Sequence, residues 1–255
     1  MTSFFGSEAV AAAYNSKHLN VPSGESSSVL SQGPSFMQIT RGSGKTLVVR
    51  FRFGTGELSG TKNLFSCFAD LGISNFGIWN IKVLVNASQS GNQPRIALQR
   101  RTHGVAGAPQ IVWEPIIAEN TVYELLMRTS GAGHYPRING SAMSVYSGSP
   151  QTATGLGGDW LGDVGFPNTS ASECLIGRNG GVEIDQIQMY DKLLSETESD
   201  ALDGVNLDPR TLSTEPNLDY LLDFEDGTLN PVSGYGSDSF SIISGSSSSI
   251  ITGGL

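Results

Sequence analysis

The 255-residue chain reads as all-β, a sandwich of two antiparallel sheets with one short helix. Three observations carry that reading. Short runs rich in Val, Ile, Phe and Thr recur through the first 190 residues, several of them alternating apolar with polar, punctuated by Gly, Ser and Asn. The composition, 38% hydrophobic and 15% charged with 32 Gly, suits a folded, loop-rich β protein and not a disordered chain. No run approaches the roughly 18 apolar residues that a membrane-spanning helix needs.

The elements follow in order. Residues 18–22 (HLNVP) form a first short strand. Residues 46–53 (TLVVRFRF) put Val49, Phe51 and Phe53 on one face and Arg50 and Arg52 on the other. Residues 81–85 and 95–99 are strands about the turn-prone SQSGNQP, and residues 111–113 and 121–128 are strands about a loop that holds Pro115. Residues 136–143 (PRINGSAM) fold back on themselves, with Asn139-Gly140 as a type I′ turn. Leu175 and Ile176 run into a Gly-rich turn, and residues 182–190 form the next strand. In it Val182 and Ile184 face opposite to Glu183 and Asp185, and the apolar phase then slips to Ile187 and Met189. That slip predicts a β-bulge near Asp185–Gln186. Ser195 with Glu198 three residues on makes a capping box, and Ala201 and Leu202 supply the buried side of a short helix.

The order within residues 174–202 resembles the closing motif of the laminin-G-like, concanavalin A-like jelly-roll superfamily. There a strand ending in "IG" precedes a "G-x-ID-x-I/V-x-x-Y" strand, then "xxLSxxE" and a short helix. Residues 121–143 resemble that family's strand and "x-v-(D/N)-G" hairpin, and HLNVP resembles its early "ylsvP" strand. The resemblance implies a concanavalin A-like jelly-roll sandwich over residues 1–205, followed by an acidic C-terminal extension, residues 206–255. Within that extension LDFEDG and SGYG, residues 222–236, look like the beginning of such a domain. A circular permutation within one domain, a strand given to a neighbouring subunit, and an independent acidic tail are the three readings. On the first two, residues 221–224 and 240–243 are strands, and Leu221, Phe224, Phe240 and Ile242 are assembly contacts.

Charge is unevenly placed. Residues 1–150 hold 12 basic and 7 acidic side chains, whereas residues 151–255 hold 3 and 17, within a net −9. The acidic half argues against nucleic acid, which needs a basic face. Arg50/Arg52 and Arg100/Arg101 read as solvated strand edges or as contacts to an acidic neighbour. The two cysteines, Cys67 and Cys174, read as buried reduced thiols, since they form no framework and neither has a ligand at metal spacing.

Candidate chemistry is sparse. In superfamily β-glucanases the strand motif is E-x-D-x-x-E; here Glu183, Asp185 and Gln188 hold those spacings, and the last carboxylate is an amide. A retaining hydrolase needs two carboxyl groups, and an amide does not titrate usefully, so no catalytic residue is assigned. The histidines are scattered, no G-x-S-x-G occurs, and RGSGKT at residues 41–46 is too short for a phosphate loop. Calcium, which many relatives bind through loop carboxylates, would fall to Asp159 with Asp163, or to Asp203 with Asp208; neither pair has the ligand density of a recognised loop. Trp160, beside Asp159 and near Phe166 in a long Gly-rich loop, has the chemistry to stack on a pyranose, and equally to anchor its loop.

The function that this reading favours is a non-catalytic assembly protein, a bacteriophage virion component such as a capsid decoration or fibre-type subunit, with other shell subunits as partners. Oppositely charged halves would suit such contacts. The AVAAAY run at residues 9–14 lacks a basic n-region, so synthesis in a host cytoplasm and residence on a virion are expected. The alternative is a carbohydrate-binding, lectin-like adhesion module, and a divergent glycan hydrolase or lyase ranks third.

Overall fold

The computed structural model describes residues 16–24, 29–32, 44–69, 77–85, 87–101, 110–130, 132–151, 172–202, 208–212, 214–236, 239–253 and 255. Its strands are β1 (Lys17–Val21), β2 (Val29–Gln32), β3 (Lys45–Phe53), β4 (Lys62–Ala69), β5 (Gly77–Leu84), β6 (Arg95–Arg101), β7 (Gln110–Ile116), β8 (Tyr123–Ser130), β9 (Gly133–Ile138), β10 (Ser141–Ala142), β11 (Ser172–Ile176), β12 (Val182–Tyr190), β13 (Leu218–Leu222), β14 (Ser241–Ile242) and β15 (Ser249–Thr252). Among the described residues one α-helix, α1 (Glu196–Asp200), follows β12. The first sheet runs β10-β9-β8-β3-β12-β1-β15, with β13 also on β12; the second runs β14-β2-β11-β4-β5-β6-β7. Each pairing within them is antiparallel. This is an all-β jelly-roll sandwich.

Alternation builds its core. Val49, Phe51 and Phe53 of β3 and Leu125 and Met127 of β8 meet Ile81 and Val83 of β5, Ile96 and Leu98 of β6, and Ile111 and Trp113 of β7. The bulge foreseen in β12 is present: its register against β3 slips between Ile184 and Gln186. The slip keeps Val182, Ile184, Ile187 and Met189 all in the core despite the broken period. Asn139 and Gly140, at φ 44° and 79°, form the two-residue turn between β9 and β10. Pro115 lies inside β7, not in a loop, which a sheet tolerates because β7 is an edge strand and one side of its backbone needs no partner.

Strands of the C-terminal segment join both sheets of the same chain. β12 is shared along one edge: its residues 182–184 pair with β1 and its residues 187–190 with β13. β15 pairs with β1, and β14 with β2. β13 begins three residues earlier than residues 221–224 suggested and ends before Phe224, whose φ of 60° leaves the extended region. Glu225 then accepts from the backbone N–H groups of Ser16 at 2.6 Å and Lys17 at 2.9 Å, tying this segment to the start of β1.

The cysteines correct the reading of reduced thiols. Cys174 is disulfide-bonded, no described cysteine is free, and the chain's other cysteine, Cys67, stands directly opposite it in the β11–β4 register. Directly opposed residues in an antiparallel pair lie about 4.5–5.5 Å apart at Cα, within the span of a disulfide.

Candidate functional site

Each sheet has an outer face, and the two are used differently. On the first sheet Val48, Leu126, Tyr190 and Leu221 point outward and pack beneath Leu194 and Leu202, which flank α1, and beside Leu212, Val232 and Tyr235. The α1 carboxylates hold this cover down. Glu196 and Asp200 pair with Arg137 at 3.0 and 2.6 Å, and Glu196 also pairs with Arg128 at 2.5 Å. Ser195 and Glu198 make the foreseen capping box, each side chain accepting from the other's backbone N–H, at 3.2 and 2.8 Å.

The outer face of the second sheet carries a cavity of about 450 Å³. Four strands in register place Ser66, Asn80, Gln99 and Gln110 in one cross-strand row. The next row sets Lys82 beside Ala97 and Val112. Leu84, Ala97 and Val112 form a small apolar cluster on this face, with Ala87 and Tyr146 against it. Lys82, Gln99, Gln110, Gln89, Leu84 and Ala87 are among the residues lining the cavity. Gln99 Oε1 accepts from Lys82 Nζ at 3.0 Å and from Asn80 Nδ2 at 3.4 Å. Gln110 donates to the Gln89 side-chain carbonyl. Asn80 Oδ1 and Ser66 Oγ are buried without a hydrogen-bond partner among the described residues.

Lys82 is the outlying group of this face. It is 7% exposed, and burial, with no counter-charge among the described residues, lowers its pKa to about 8. The amide-rich wall can donate to and accept from hydroxyls, with Leu84 and Ala87 as apolar lining beside it.

The residues singled out from sequence are placed elsewhere. Asp159, Trp160, Asp163, Phe166 and Asp203 lie outside the described residues. Asp208 is engaged by Arg210, whose Nε and Nη2 donate to its two oxygens at 2.7 and 2.6 Å, so it does not present a free carboxylate to a cation. Among the described residues no group of three His, Cys, Asp or Glu is placed to hold a metal. Glu183 accepts from Arg52 Nε at 2.6 Å, and Asp185, 1% exposed, lies 3.4 Å from Arg50 Nε. Gln188 donates to Gln186 at 2.7 Å and accepts from the Tyr190 hydroxyl at 2.5 Å. These three thus sit in hydrogen bonds or ion pairs on the first sheet, away from the cavity. Leu221, Phe224 and Phe240 are buried within the chain's own cores, whereas Ile242 is 40% exposed.

The charge asymmetry also finds its partners at home. Arg50, Arg52, Arg128 and Arg137 from the basic half pair with Asp185, Glu183, Glu196 and Asp200 from the acidic half, and Lys45 pairs with Asp191.

The chain matches no protein-family model and no curated protein. It is similar to several solved structures. One is a candidate carbohydrate binding protein from Bacteroides ovatus, at 13% identity and TM-score 0.56, over 94% of this chain and 60% of that one. The chain thus spans 60% of that protein's length. Another is the native heptameric SAP-like pentraxin from Limulus polyphemus, at 15% identity and TM-score 0.50, over 96% and 97% of the two chains. A third is the CBM40 of the Ruminococcus gnavus IT-sialidase bound to α2,3-sialyllactose, at 12% identity and TM-score 0.50, over 72% and 97%. At such identities the likeness is one of fold: the jelly-roll sandwich of pentraxin and CBM40 modules.

Proposed function

We propose that this chain is a non-catalytic, carbohydrate-binding, lectin-like module of the concanavalin A-like, laminin-G-like superfamily, and that the cavity on the second sheet is its saccharide site. The observation that carries the proposal is the composition of that cavity: three glutamines and a lysine around a floor of Leu84 and Ala87. Amide side chains fit sugar hydroxyls because each offers both donors and an acceptor. The likeness to the Bacteroides ovatus protein and to the CBM40 supports this reading over shell assembly. Pairing of some of the opposite charges within one chain weakens the argument that they await a neighbour. The disulfide supports work in an oxidising setting, outside a reducing cytoplasm.

A glycan microarray probed with the full chain tests the proposal. Expected are saccharide binding, a loss of about tenfold with Gln110→Ala as a charge-neutral contact is removed, and no release of reducing ends from any bound glycan. A blank array would overturn the reading. Turnover abolished by Glu183→Gln would overturn its non-catalytic part.

A further inference from the structure

From the cavity we infer that the saccharide it takes is acidic, and that Lys82 receives its carboxylate or sulfate group. The inference rests on the saccharide reading above and deepens it.

Lys82 stands on the outward face of β5 between Asn80 and Leu84 and lines the cavity. Among the described residues its one hydrogen-bond partner is neutral, the Gln99 carbonyl at 3.0 Å, and it forms no ion pair with any of them. An ammonium group carries three donors, so two remain for a ligand. The groups opposite it are neutral as well: Asn63 across β4 and Ala97 across β6. Farther along the same face Arg95 is matched by Glu114 at 3.2 Å and stacks on Tyr146 at 4.4 Å from the ring centroid, so that pair does not compensate Lys82. A cation held 7% exposed with no counter-charge among the described residues is costly to fold around. An anion entering the cavity would remove that cost, whereas a neutral sugar would leave it in place. Gln110 and Gln89, joined to each other at the cavity wall, are placed to contact hydroxyls of the same ligand.

Calorimetric titration of the full chain with four probes tests this: oligogalacturonate for a carboxylate, heparin oligosaccharides for sulfate, cellohexaose as a neutral sugar, and inorganic sulfate as a free anion. Oligogalacturonate or heparin should bind at least about tenfold tighter than cellohexaose, as expected for charge-assisted hydrogen bonds. Whichever of the two binds tighter identifies the acidic group. Lys82→Met should abolish the preference and Lys82→Arg should keep it, with melting curves of both confirming a folded chain. Equal binding of neutral and acidic sugars by the wild type and by Lys82→Met would overturn the inference and leave the saccharide reading intact. Inorganic sulfate binding as tightly as the acidic sugars would overturn it too, since the site would then take a bare anion. Failure to bind any of the three saccharides, together with a blank array, would bring down both.

Discussion

The outer faces of the two sheets arise from the same alternation and end in opposite states. The first sheet turns Val48, Leu126, Tyr190 and Leu221 outward, and α1 with the C-terminal segment closes over them into a second core. The second sheet turns the smaller apolar cluster of Leu84, Ala97 and Val112 outward amid amides and Lys82, and a cavity of about 450 Å³ lies there. A large apolar outer face has to be covered by the chain itself, because burying it is the main favourable term available. A small one ringed with polar groups can stay open to a ligand, since sugars offer both apolar faces and hydroxyls. Polarity, more than strand geometry, thus divides the molecule into a face covered by its own chain and a face that carries the cavity.

The largest effect that would sharpen this contrast comes from Leu221→Ala. Leu221 is fully buried in the second core, so truncation should cost about 2–5 kcal/mol in urea unfolding, transfer and cavity combined. Val112→Ala, in the smaller cluster of the second sheet, should cost clearly less. Equal losses would mean that the two faces are equally structural.

Lys82→Met should act in the opposite direction. Its pKa in the folded chain, about 8, lies below the ordinary 10.5, so between those pH values the unfolded chain binds more protons and wild-type stability rises with pH. The penalty is fully present below pH 8, where the variant should be more stable by no more than about 3 kcal/mol. Near pH 10.5 the two should converge. Parallel pH profiles for wild type and variant would show that Lys82 is better solvated than its burial implies.

The smallest change is Ser195→Ala, which removes one half of the capping box and should cost about 1 kcal/mol. The Lys192 ammonium and the Ser195 backbone N–H hold the Glu198 carboxyl at about 2, so the contribution of the box should fade as pH drops from 4.5 toward 2. Thermal melts at pH 7 and pH 2.5 read both effects. No loss at pH 7 would show that ion pairs to Arg128 and Arg137 suffice to hold α1 on the first sheet.

Features set by near neighbours were legible in the chain. The alternation of β3, the phase slip at Asp185, the Asn139-Gly140 turn and the Ser195–Glu198 box each depend on a few adjacent residues, whose φ, ψ and side-chain reach are local matters. Pro115 was misplaced into a loop because whether a strand tolerates proline depends on being at an edge, a property of the sheet. The cavity was missed for a similar reason. Lys82 sits in an alternating run, IKVLV, as any solvated lysine would, and Gln99 and Gln110 lie in other strands.

By itself, then, the sequence determined that the chain is a β sandwich, which side of each strand is apolar, and where it turns. Only the tertiary structure decided what stands across from what. It set Cys67 against Cys174, Arg137 against Asp200, and Lys82 against neutral neighbours rather than a carboxylate. The physical reason is that alternation is written in consecutive residues, whereas register between strands distant in the chain is settled by the packing of whole sheets, and with it the environment of every outward-facing charge.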